Sequence, residues 1–120
     1  CEVTVDERTV PGGYTDLERV EEVEGVEWAV ESDVPPMQCS DDAFAGVVLD
    51  AAAAAQSGDP ELVTKPHATD AGWLAEAGTA CVVCGPSEPG EAHTADESVG
   101  IDVLERCYRI YRGAAESWPA

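Results

Sequence analysis

The sequence predicts an α/β protein in two pieces, a strand–helix–strand unit over residues 1–38 and the tail of a layered α/β domain over residues 39–120. Three observations carry this. β-Branched residues alternate with polar ones near the start, an apolar run stands alone at 79–84, and helical periodicity dominates after residue 40.

Residues 2–10 place Val3, Val5 and Val10 in a pattern that reads as a strand ended by Pro11-Gly12-Gly13. Residues 14–24 set Leu17 and Val20 at helical spacing, with Thr15 or Asp16 able to cap the start and Gly25 to end it. Residues 26–31 alternate again before Pro35-Pro36. A boundary is expected there, between Pro35 and Ser40.

A second helix is expected from Ser40, Asp41 or Asp42 through the alanine run at 51–55, stopped by Ser57-Gly58-Asp59-Pro60. After a short segment at 62–64, a third helix is expected at 71–76, entered through Thr69-Asp70 and closed by Gly78. Residues 79–84 read as a buried strand. The last helix is expected at 98–115, with Ile101, Leu104, Cys107, Tyr108 and Tyr111 on its buried face. There is no internal repeat.

Against 25 Asp and Glu stand 6 Lys and Arg, a formal charge of −19. The acids are spread through apolar-periodic segments, which suits a folded, solvated surface better than an acidic tail. Adaptation to a high-salt cytoplasm accounts for this, because screening reaches only about 3 Å at molar salt. The alternative is an acidic surface for a basic partner. Nucleic-acid binding is not expected, since few cations are present to neutralise phosphates.

Five cysteines, with no long apolar span, predict a reduced, cytoplasmic protein not embedded in a membrane. Cys81 and Cys84 have CxxC spacing. On a strand they would alternate between faces, so packing is expected rather than a shared metal or redox role. The chain also begins at Cys1 without an initiator methionine, which predicts an incomplete protein.

His93 is the residue that points most directly at chemistry. It follows the Gly/Pro loop Gly85-Pro86-Ser87-Glu88-Pro89-Gly90 and precedes Asp96-Glu97 at a helix entry, a suitable place for a metal-ligating imidazole. Asp96 and Glu97 have a structural reason to be there, capping the final helix and meeting its dipole. His67 lies at a similar helix entry, and a two-histidine site with His93 is conceivable. Arg8 is suited to bidentate carboxylate recognition or, more plainly, to a salt bridge with Asp6, Glu7 or Glu27. No Ser-His-Asp order, phosphate-binding glycine loop or HExxH motif is present.

Two stretches taken together carry a resemblance. Val5-Asp6-Glu7-Arg8-Thr9-Val10-Pro11-Gly12-Gly13 is similar to the "D-x-R-T-x-P-G" strand and turn of one metallopeptidase family. Thr69-Asp70-Ala71, Gly85-Pro86 and Ala92-His93-Thr94-Ala95-Asp96-Glu97 resemble that family's "T-D-A", "G-P-G" and "A-H-T-x-D-E" signatures, in order. The family is that of the zinc-dependent aminoacylases, acetylornithine deacetylases and succinyl-diaminopimelate desuccinylases.

The resemblance implies part of a small α+β lid or dimerisation domain over 1–38 and the C-terminal part of a layered α/β metallohydrolase domain over 39–120. It further implies a small N-acyl amino acid or peptide substrate, a homodimer, and two zinc ions, with cobalt or manganese as alternatives. His93 matches a metal-binding histidine, Arg8 a lid arginine that reaches the substrate carboxylate, and Gly85 and Pro86 a loop lining the pocket.

Ser87 departs from the usual second glycine of that loop, and serine disfavours positive φ. The family's H-x-D pair, its Glu-Glu with the general base, and a further acidic ligand have no counterpart here; Glu21-Glu22 belongs to the predicted lid helix. The chain alone is therefore expected not to hydrolyse amides. A remnant or dimerising module without activity is the alternative.

Overall fold

The computed structural model describes residues 1–87 and 90–119. It contains a 3₁₀ turn at Leu17–Glu22 and three α-helices, α1 (Asp42–Ala55), α2 (Ala71–Glu76) and α3 (Ile101–Ser117).

Helix α1 starts where its sequence gives the backbone a partner. The Asp41 carboxylate accepts hydrogen bonds from the amides of Ala43 (2.9 Å) and Phe44 (3.0 Å), satisfying two donors that the helix leaves open, a contribution of about 1 kcal/mol. The helix ends at Gln56, just before Gly58 adopts a φ of 102°.

Helix α2 is only six residues long and is closed at both ends. Thr69 Oγ1 accepts from the Ala71 amide at 3.3 Å. At the other end Gly78, at φ 87°, donates to the Ala75 carbonyl while Thr79 donates to that of Leu74, both at 2.9 Å. This paired closure needs a left-handed residue, which glycine supplies without strain.

Helices α1 and α3 pack on each other. Phe44 and Trp118 meet edge to face, with ring centroids 5.1 Å apart and planes at 82°. Ala51 and Gly113 bring the helices close, and Ile110 is 4% exposed, a burial worth about 1.5–3 kcal/mol. Helix α2 packs instead against the Pro35 backbone through Gly72, which is buried. This contact crosses the expected boundary near Pro35-Pro36.

Three expectations are corrected. The predicted strands at 2–10, 26–31, 62–64 and 79–84 form no ladder among the described residues, where the one β-bridge joins Val10 to Gly13. A strand exists only through its neighbour, and these segments have none. The helix expected at 14–24 is a 3₁₀ turn with Leu17 and Val20 half-buried; nothing covers it well enough to hold a longer helix, whose nucleus is costly.

The third correction concerns α3. Its buried residues are Cys107 and Ile110, flanked by half-buried Val103 and Ala114, while the predicted stripe is exposed at Ile101 (76%), Leu104, Tyr108 (63%) and Tyr111. The helix carries two apolar stripes, and the one with the smaller side chains meets α1.

The chain is open. Its radius of gyration is 18.5 Å, against about 13.6 Å for a compact domain of this length. Its accessible surface is 9611 Å², against about 6,200 Å² expected at this mass. No helix among the described residues is long and apolar enough to cross a membrane.

Candidate functional site

The His93 loop is built by two carboxylates. Glu91 accepts from both the amide and the hydroxyl of Ser98, each at 2.8 Å. Glu97 accepts from the His93 amide at 3.2 Å. Thr94 adds bonds from its hydroxyl (2.7 Å) and its amide (3.0 Å) to the Glu91 carbonyl. Residues 91–98 thus close on themselves, with His93 exposed on the turn.

The bonds from Ser98, the hydroxyl's first, hold the Glu91 carboxyl below its ordinary range. A lowered folded-state value means that the clasp is fully present above the ordinary carboxylate range and is lost as pH falls through that lowered value.

Within this loop His93 has a φ of 63°, the one positive value at a non-glycine among the described residues. Such a conformation costs a side-chain-bearing residue roughly 1–2 kcal/mol, although histidine tolerates it better than most. Ser87 is outside that region, so the serine at this position carries no left-handed strain. Glu88 and Pro89, also in the quoted loop, lie outside the described residues.

The acidic pair before α3 does not cap it. The helix begins at Ile101, three residues later than expected, with Gly100 at its N-cap and Asp102 in its first turn. Glu97 turns back to His93 instead. Gly100 was the local signal for the later start.

Gly85 and Pro86 follow the apolar segment and are tied to α3, because the Tyr111 hydroxyl donates to the Cys84 carbonyl at 2.7 Å. Gly85 and Ser87 line a cavity of about 240 Å³ together with Leu49 and Ala52 of α1 and Cys107 and Ile110 of α3. Burial, with Cys107 nearby, pushes the Cys84 thiol up. The Tyr111 phenol is raised chiefly by burial too, with Cys107 and Cys84 adding to it. Both shifts favour the neutral forms, which suits walls rather than nucleophiles.

Arg8 pairs with Asp6 through Nη2 (2.6 Å) and Nε (3.1 Å) and reaches the Pro66 carbonyl through Nη1 at 3.3 Å. That last bond brings Arg8 beside the loop of His67, which is exposed. No group of three His, Cys, Asp or Glu that could hold a metal ion occurs among the described residues. His93 is exposed on a closed turn and belongs to no such group among them.

Residues 2–117 match the family described as peptidase family M20/M25/M40, and the chain belongs to that family. It is also similar to N-formyl-4-amino-5-aminomethyl-2-methylpyrimidine deformylase of Bacillus subtilis (strain 168), at 36% identity over 59 residues. That match covers 49% of this chain and 14% of the deformylase. No solved structure gives a significant match.

Proposed function

We propose that this chain is the C-terminal part of a metal-dependent amidohydrolase acting on N-acyl amino acids or small peptides, with residues 1–38 from a lid or dimerisation domain and 39–120 from a layered α/β catalytic domain. The observation that carries the reading is the family match across residues 2–117. A relative named as a deformylase of an N-formyl compound supports chemistry at an acylated nitrogen. The open surface and the unpaired apolar segments fit a piece that completes its sheet against further polypeptide.

His93 is the residue of this chain that would hold a divalent ion, zinc first, with cobalt or manganese as alternatives. The chemistry that two such ions would supply in the complete enzyme is activation of water and stabilisation of negative charge on the amide oxygen. The rest of the work assigned to this chain is positional. Gly85 and Pro86 form a wall of the pocket, and Arg8 exchanges Asp6 for the substrate's carboxylate. The general base and the other donors would come from outside this chain, so residues 1–120 alone do not hydrolyse amides. The complete enzyme is a homodimer in the cytoplasm, and its acidic surface suits high salt.

The test is metal removal. In the complete protein, hydrolysis of N-acyl amino acids is expected to vanish on dialysis against a chelator and to return with added zinc. A protein that takes up no zinc and cleaves none of them would be an inert or dimerising module.

The Arg8→Ala enzyme is expected to raise the Michaelis constant roughly ten- to hundredfold for carboxylate-bearing substrates, the range of a charge-assisted hydrogen bond. Uncharged analogues should be little affected. An equal loss on both would leave Arg8 only its scaffold bonds to Asp6 and Pro66.

A further inference from the structure

We propose that Glu97 is a positioning residue for His93: by accepting the His93 amide, its carboxylate keeps that backbone left-handed and so aims the imidazole. The inference rests on the reading of His93 as a metal donor. It starts from a conflict between local preference and observed geometry. A residue with a side chain defaults to negative φ, yet His93 stands at 63°. Such a state persists only where the surroundings over-determine it.

Glu97 lies four residues on, before the helix, and its Oε2 takes the His93 amide at 3.2 Å. The Glu97 amide in turn reaches the Thr94 carbonyl at 3.4 Å, and Ser98 beside it is held by Glu91. The backbone that carries the acceptor is therefore held on both sides. A charged acceptor on a backbone donor is among the stronger hydrogen bonds.

Release of that amide lets residue 93 fall back to negative φ, which redirects its Cα–Cβ bond. A donor in a built site must be held to within about 0.5 Å, so the ring no longer meets the ion. The placement also explains why a glutamate four residues before α3 does not cap the helix.

The test uses the full-length, zinc-loaded protein with Glu97→Ala and Glu97→Gln, since glutamine keeps an oxygen able to accept the amide. Zinc affinity is measured by chelator competition, unfolding of the metal-free protein by denaturant, and the backbone conformation at residue 93 by its amide–α-proton coupling. Glu97→Ala is expected to weaken zinc binding about tenfold, as loss of a supporting group around a ligand does, with the coupling changed and metal-free stability retained. Glu97→Gln should keep the wild-type coupling and most of the affinity.

Unchanged zinc affinity in Glu97→Ala, or equal losses in both variants, would overturn the proposal. Full zinc affinity in His93→Ala would instead remove the metal reading beneath it. The two failures are thus read in different proteins.

Discussion

The His93→Ala enzyme is expected to lose zinc and activity together, with the rate down by at least about a hundredfold. The fold should barely notice. His93 is exposed, its side chain makes no hydrogen bond or ion pair among the described residues, and the loop around it closes through Glu91, Thr94, Glu97 and Ser98. Only its amide takes part, and alanine has one too. The stability change is expected to be about 1 kcal/mol or less, coming from alanine's poorer tolerance of the left-handed φ of 63°. Metal content by elemental analysis, turnover, and denaturant unfolding of the metal-free protein separate the two roles. Unaltered zinc stoichiometry would refute the ligand assignment.

Gly72→Ala is expected to act on the fold. Alanine is the better helix former by about 1 kcal/mol, so an exposed glycine in a helix would be stabilised by the change. Gly72 is buried, however, and a Cβ there would overlap the Pro35 carbonyl oxygen and carbon. A backbone carbonyl cannot turn aside as a long side chain can. Helix α2 must therefore step back from residue 35, and six residues do not hold a helix without packing. Overpacking of this kind costs about 1–3 kcal/mol or more, which exceeds the gain in propensity. The denaturant midpoint of the full-length protein should fall, and the Ala77 and Gly78 amides, which bond to Trp73 and Ala75, should exchange faster. A rise in the midpoint would show that α2 does not dock at Pro35.

The helices were legible where their signals are local. Asp41 before α1, Thr69 before α2 and Gly78 after it mark ends that a few neighbouring atoms decide, and α2 runs over the six residues expected. Of the face expected for α3 only Cys107 is buried, because Ile101, Leu104, Tyr108 and Tyr111 make as regular a stripe as Val103, Cys107, Ile110 and Ala114. What chose between them was the partner, α1, which the spacing within α3 does not contain. Strand pairing failed to be legible for the same reason, since a ladder depends on residues far away in sequence.

The site divides along that line as well. The order of apolar segment, Gly/Pro loop, histidine and helix can be read directly, and so can the type of chemistry an imidazole brings. The left-handed backbone at residue 93 and the turn of Glu97 toward it could not be read, because an acid near a helix start is normally explained by the helix.

Both candidate loops are mounted on α3. Tyr111 grips the carbonyl just before Gly85, and the chain leaving His93 runs into the first turn of the same helix. A slide of α3 along α1 would therefore carry the pocket wall and the imidazole through one common displacement. The two loops are mechanically linked, and any repacking at the Ala51–Gly113 crossing should shift both together.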